Sequence, residues 1–418
     1  MAGRSCPVSC VLVRATGVSC LAVLLCCLLA VQDVAGQKRR SARQGAGASS
    51  QEFARLAAQA AEAREAGRID EAIEFYQKAV RLRPRWDEGW WYLATLLYDR
   101  DRYAEAARAF ERAAALHPQA GIAWAMLGLC EFQLRQYDAA FAHIQRGREL
   151  GLVQNEELLR VLKYHEALLF LLKGDFETAL QRLDVLANQG LNTEELIMAL
   201  GLALLRIPIL PSQLDPTSRD RELIRRLGWA ELQAAQKNFT DAQREYERIA
   251  AEYAKTPNVQ YAYGRYLVSR RDDDKALAAF KREIENSPQN GLARLQIAYI
   301  KLKNREPAEG IPFAEEAVRL NPRDPLAHYI LGRLLFDLGQ TARAIESLET
   351  ARTLAPQEPK IYFALARAYA RANRRADAEQ AREMFLKLNK AVEEAENRGL
   401  KRADAIQEEP EKAPERSQ

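Results

Sequence analysis

Apolar residues recur at steps of three and four along nearly all of residues 53–392, the spacing of helices with one buried stripe. The stripe itself comes back. "DEAIEFYQKAVRLRP" at 70–84 returns as "AEAARAFERAAALHP" from Ala104, "DKALAAFKREIENSP" from Asp274 and "ARAIESLETARTLAP" from Ala342. Prolines at Pro84 and Pro118, and again at Pro288, Pro322 and Pro356, set a period of 34 residues. Units then start at Phe53, Asp87, Gly121, Arg160, Glu194, Leu223, Pro257, Gly291, Pro325 and Pro359, with one step of 39 and one of 29 that cancel. Self-similarity at a fixed period of this size is the signature of a repeat architecture.

Each unit has the same internal logic. Its eighth residue is Ala or Gly in all ten copies (Ala60, Ala94, Gly128, Ala167, Gly201, Ala230, Gly264, Ala298, Gly332, Ala366), and its twentieth is as small wherever the unit is intact. Small residues at two fixed places let two helix backbones approach closely. Large apolar residues at positions 7 and 11, such as Leu93 with Leu97 and Leu331 with Leu335, supply the i, i+4 stripe beside them. The pattern predicts a hairpin of two antiparallel helices per unit. Gly67, Gly174 and Gly339 near position 15 end the first helix, and the proline at position 32 limits the second.

With Trp90, Leu93, Ala94, Tyr103, Ala106, Phe110, Ala113 and Pro118 in the second unit, and Leu331, Gly332, Ala344, Ala351 and Pro356 in a later one, the chain resembles exported, bacterial-type tetratricopeptide-repeat (TPR) proteins of about ten repeats. The resemblance covers about four fifths of the chain and implies an all-α fold, an α-solenoid of antiparallel helix pairs forming a TPR superhelix. One repeat in the middle is broken. Repeats three to five lack the terminal proline, Glu131 and Gln233 stand where an apolar residue is usual, and repeat five has lost most of its second helix.

The resemblance also implies that positions 2, 5, 9 and 12 of each first helix line a concave groove. Those positions fall into three zones. Repeat two offers Trp91, Thr95 and Tyr98; repeats three to five are apolar, with Phe132 among them, and the helices "VLKYHEALLFLL" and "ELIMALGLALL" predict burial on all sides. The segment "IPILPSQLDPTS", 207–218, cannot be helical through Pro208, Pro211 and Pro216, yet is too apolar for a free loop. It either lies over the apolar zone as a lid or fills the gap of the missing helix. The third zone pairs an aromatic at position 5 with arginine at position 9: Tyr261 with Arg265, Tyr329 with Arg333, Phe363 with Arg367, interrupted by Leu295 and Tyr299. Guanidinium groups present planar, bidentate donors to carboxylates and stack on rings. Two readings stand side by side, a peptide groove for acidic side chains or a free carboxylate, and a solvated ladder paired with nearby acids.

The termini differ from the array. Arg4 and Arg14 precede an apolar run from Val18 to Val31, followed by Val34, Ala35 and Gly36, the layout of a secretory signal over 1–36 cleaved after Gly36. The alternative is an uncleaved anchor reaching back to Ala15. Residues 37–52 read as a flexible basic linker, 53–193 as repeats one to four, 194–222 as the degenerate repeat, 223–392 as repeats six to ten, and 393–418 as a charged disordered tail. Five of six cysteines lie in the leader, leaving Cys130 alone and no disulfide framework.

Lys plus Arg at 61 against Asp plus Glu at 57 leaves a net charge of +4 spread over a long surface, which gives no strong pull on nucleic acid or membrane. His117, His143, His165 and His328 are never at zinc-site spacing, and no phosphate-binding, nucleophile-elbow or HExxH motif occurs. No metal, cofactor or catalysis is expected. The long repeat surface and the groove residues that the resemblance implies, together with the leader, point to an interaction scaffold outside the cytoplasm, periplasmic or secreted, that binds a peptide or protein partner. An accessory subunit of an envelope enzyme is the alternative, and a helical-repeat nucleic-acid binder the less favoured one.

Overall fold

The computed structural model describes residues 40–151 and 156–407; the leader expected at 1–36 lies outside them. Among the described residues every regular element is helical, and the chain divides into two units, the first ending at Gly228 and the second beginning at Trp229.

In the first unit α1 (Arg40–Glu65) pairs with α2 (Ile69–Leu82), α3 (Asp87–Asp99) with α4 (Tyr103–Leu116), α5 (Gly121–Gln133) with α6 (Tyr137–Leu150), and α7 (Glu156–Leu172) with α8 (Phe176–Asn188). Then α9 (Glu194–Leu204) is followed by a single 3₁₀ turn, Pro211–Gln213, before α10 (Arg221–Ala235), within which the boundary falls. The second unit continues with α11 (Phe239–Glu252), then α12 (Val259–Ser269) on α13 (Asp273–Asn286), α14 (Gly291–Lys303) on α15 (Pro307–Leu320), α16 (Pro325–Asp337) on α17 (Thr341–Leu354), and α18 (Pro359–Arg371) on α19 (Arg375–Gln407). The hairpins stack, each second helix packing on the next first helix.

The core is one layer repeated. Position 24 supplies the large side chain in most copies: Tyr76, Phe110, Ile144, Leu183, Tyr246, Phe280 and Leu348 are all buried. Each is worth about 1.5–3 kcal/mol of burial. The small residues at positions 8 and 20 sit where expected, with Ala60, Ala94, Ala167, Ala298, Ala72, Ala106, Ala140, Ala276 and Ala344 fully buried. At Gly201 the approach is closest: a β-carbon there would lie 1.8 Å from the carbonyl oxygen of Ile224, and one on Gly228 would lie 1.8 Å from that of Ile197.

The turn inside each hairpin closes by one device. The N–H of position 16 donates to the carbonyl of position 11, as from Arg68 to Ala63, Arg102 to Leu97, Asp272 to Leu267 and Gln340 to Leu335, all at 2.8–3.0 Å. This six-to-one bond requires a left-handed residue between. Gly67, Gly174 and Gly339 serve as expected, but Asp101, Arg135, Lys237, Arg271, Arg305 and Asn373 hold the same backbone at φ 58 to 65. Between repeats a second device recurs. The position-4 ring of one repeat reaches the carbonyl of the preceding proline, with Trp90 Nε1 on Pro84 (2.9 Å), Trp124 Nε1 on Pro118 (3.0 Å), His328 Nε2 on Pro322 (3.0 Å) and Tyr362 Oη on Pro356 (2.9 Å).

Three expectations are refined or corrected. The apolar α9 is buried from Leu196 through Leu205, and Leu210 of the following segment is buried while its turn packs on α9. The linker expected through residue 52 is helical from Arg40, because a stretch without proline extends an already nucleated helix even across Gly45 and Gly47. Arg83 fixes it further by donating to Ser50 Oγ (2.9 Å) and lying 3.9 Å from the Phe53 ring. For the same reason the tail expected from 393 stays helical to Gln407, three residues short of Pro410.

Candidate functional site

Along the first helices of the second unit, α14, α16 and α18 lie side by side and open a cleft of about 500 Å³. The repeat register accounts for its lining. Tyr299 at position 9 and Leu302 at position 12 come from α14, Leu326, Tyr329 and Arg333 at positions 2, 5 and 9 come from α16, and Lys360 at position 2 comes from α18. Residues four apart on one helix share a face, so Tyr329, Arg333 and Asp337 form a single row. Tyr299 is 44% exposed and Leu326 is also open to solvent, which leaves apolar surface available in the cleft.

Its electrostatics are one-sided. Lys303, Arg305, Arg333 and Lys360 face a single acid, Asp337. Lys303 is engaged by Asp273 (2.7 Å) and Lys360 more loosely by Glu358 (3.6 Å), whereas Arg305 has no ion pair among the described residues. Arg333 donates through Nη1 to Tyr329 Oη at 2.9 Å, and Lys360 Nζ lies 5.7 Å from the centre of the same ring. Four cations against one acid favour an anionic guest here.

The cleft gathers Tyr299, Tyr329 and Arg333 from the ten residues singled out in the sequence. The others lie elsewhere. Tyr261 is only 2% exposed and packs on Phe280 at 5.8 Å, below a helix N-terminus capped by the buried Glu283 carboxylate, which accepts from the N–H groups of Asn258 (2.8 Å) and Tyr261 (3.2 Å). Arg265 is half-buried on the same helix. Phe363 is 47% exposed, but Arg367 lies over Phe336 (5.0 Å) rather than over Phe363, which meets Phe385 (5.4 Å). In the first unit Tyr98 and Phe132 are buried, edge-on to Tyr103 (5.4 Å) and His165 (4.7 Å), and Trp91 stands half-buried against Phe110 (5.5 Å). Groove positions become core where a ring of the second helix closes on them, as Tyr103 does on Tyr98 and Phe280 on Tyr261, or where the next first helix does, as His165 of α7 on Phe132 of α5. Leu302, Leu326 and Lys360 went unread although positions 2 and 12 could have found them; the turn cations Lys303 and Arg305 lie outside that pattern.

The four histidines are all occupied structurally: His117 with Asp87 (2.6 Å), His143 with Glu131 (2.7 Å), His165 with the Val161 carbonyl (2.7 Å), and His328 with Pro322. Burial pushes the Cys130 thiol up to about 12, which keeps it protonated. Among the described residues no cluster of three or more His, Cys, Asp or Glu is arranged for a metal, and no helix is long and apolar enough to cross a membrane.

Family models described as "Tetratricopeptide repeat" match residues 58–85, 93–151, 227–291, 295–359 and 335–384, leaving out 152–226. Similar solved structures include a MamA RS-1 double mutant (20% identity, 42% of this chain and 97% of that one, TM-score 0.39). MamA from Desulfovibrio magneticus RS-1 shares 22% identity over 42% of this chain and 97% of that one at a TM-score of 0.37, and a further MamA crystal structure 18% over 40% and 96% at 0.38. At such levels these relatives say nothing about what this chain binds. No curated protein sequence matches it.

Proposed function

The chain belongs to the tetratricopeptide-repeat family, a builder of protein-interaction scaffolds, and from that premise we propose that it is a non-catalytic scaffold docking an extended segment of a partner protein across α14, α16 and α18. The observation that carries this reading is the coincidence of cleft and register: the groove positions of three consecutive repeats converge on one open space, with exposed apolar anchors at Tyr299 and Leu326. Aromatic and arginine side chains are where binding energy concentrates. The partner is a protein or peptide with acidic side chains or a free carboxylate, a choice that the excess of cations in the cleft supports. Its meeting place is outside the cytoplasm, a reading that rests on the basic and apolar layout of residues 1–36.

A photo-crosslinking residue placed at Leu326, and in a second protein at Leu354 on the second helix of the same repeat, tests the docking face in the native host. The expected result is a partner adduct from Leu326 and not from Leu354. Equal adducts from both would refute the groove. Amino-terminal sequencing of the protein recovered from outside the cytoplasm is expected to begin at Gln37; recovery of intact leader from the cytosol would refute export.

A further inference from the structure

Of the three aromatic and arginine pairs at positions 5 and 9 of the second unit, one pair alone lines the cleft with both side chains. In it Arg333 Nη1 donates to Tyr329 Oη at 2.9 Å. A phenol that accepts a hydrogen bond still has its own O–H to give, and a guanidinium carries five N–H donors. Arg333 therefore orients a second donor while keeping others of its own. No carboxylate among the described residues pairs with Arg333: Asp337, one turn along the same helix, makes no ion pair with it. Lys360 approaches the same ring from α18 at 5.7 Å. By contrast the guanidinium of Arg367 lies on the Phe336 ring, outside the cleft.

The surroundings decide what kind of anion fits. Tyr299 and Leu302 continue the lining on the α14 side and Lys360 continues it on the α18 side, so the donor pair stands in the middle of the cleft. A chain seated there runs on in both directions. Leu326 and Tyr299 offer apolar surface to its neighbouring side chains.

We propose that Tyr329 and Arg333 form a subsite for the side-chain carboxylate of an Asp or Glu inside an extended partner segment, the phenol O–H and the guanidinium each donating to one carboxylate oxygen. The proposal rests on the docking reading above and narrows it from a cationic groove to one donor pair and one kind of guest.

The test uses the purified full chain, immobilised, and pools of short peptides capped at both ends that are randomised except for a central residue, Glu in one pool and Gln in the other. Further pools carry phosphoserine at the centre, or a free carboxyl terminus in place of the acidic side chain. Retention of the Glu pool about tenfold above the Gln pool is expected, the scale of one charge-assisted hydrogen bond. Arg333→Gln is expected to abolish that preference and Tyr329→Phe to reduce it several-fold, while Arg367→Gln leaves it unchanged, each variant checked for an unaltered melting curve. Equal retention of Glu and Gln pools, both lost in Leu326→Asp, would overturn the subsite and leave the groove standing. Retention of neither would overturn both. A preference for phosphoserine or for a free terminus, or an Arg367→Gln loss as large as that of Arg333→Gln, would overturn the side-chain carboxylate assignment.

Discussion

Gly201→Ala adds one methyl group where two helices meet backbone to backbone. The new carbon would stand 1.8 Å from the Ile224 carbonyl oxygen and 2.7 Å from its carbon, whereas ordinary contact begins near 3.4 Å, so α9 and α10 must part by 3.4 − 1.8 = 1.6 Å. A backbone carbonyl cannot rotate away as a side chain can. A gap of 0.5–1 Å already forfeits about a quarter to a half of each dispersion contact, and Leu200, Leu223, Ile224 and Leu227 are all buried in the described core. Overpacking of this kind costs about 3 kcal/mol, the upper end of the usual range, and the better helix propensity of alanine returns about 1 kcal/mol. The expected net loss is about 2 kcal/mol. Gly332→Ala is the internal comparison: its methyl would meet Leu348 Cγ at 2.6 Å and Cδ2 at 2.9 Å but the nearest backbone atom, the Ala344 carbonyl oxygen, only at 3.2 Å, so the net loss is smaller, about 1 kcal/mol. Urea unfolding followed by far-ultraviolet circular dichroism measures both. A Gly201→Ala midpoint equal to that of the parent would refute the close crossing and, with it, the eighth-position rule.

Ala94→Leu, at the same register position with no space at all, should lower stability by about 1–3 kcal/mol in the same assay. Trp124→Phe removes the donor to the Pro118 carbonyl and should lower stability by about 1 kcal/mol. Arg271→Gly should raise stability by about 0.5 kcal/mol, since its φ of 62 suits glycine better than a long side chain; a lowered melting temperature would count against strain at that turn. Burial holds the His165 ring below its ordinary 6.5, so the unfolded chain binds the proton more readily than the fold. Stability should therefore be full above about pH 6.5 and fall below it by up to about 1.4 kcal/mol per unit, a slope that His165→Leu should flatten in pH-dependent denaturation.

The hairpin architecture was legible because packing needs are strict at a few places: a methyl or nothing at positions 8 and 20, and a large ring or branched chain at position 24. The groove was half legible. Tyr329, Arg333 and Tyr299 follow from register alone, but the same register assigned Tyr261, Tyr98 and Phe132 to an open face that neighbouring helices cover. Tyr98 and Tyr261 turn onto rings of their own hairpin's second helix and Phe132 onto His165 of the next repeat, a choice of side-chain direction that register does not encode. Aromatic positions drew attention from Leu326 and Lys360, whose roles come from the helix they face rather than from their own neighbours in sequence. Composition misjudged both ends of the array. Residues 40–52 and 393–407 are polar enough for a random chain, yet nothing in them stops a helix that a packed core has already begun.

The ring-to-proline contacts give the array a mechanical character of its own. Trp90, Trp124, His328 and Tyr362 stitch each of four repeats to the turn before it, whereas Lys163, Ile197, Arg226, Gln260 and Arg294 occupy the matching place in repeats four to eight. Under load the seams before repeats nine and ten would outlast the unstitched ones of the second unit, and the groove laid across them would survive with them.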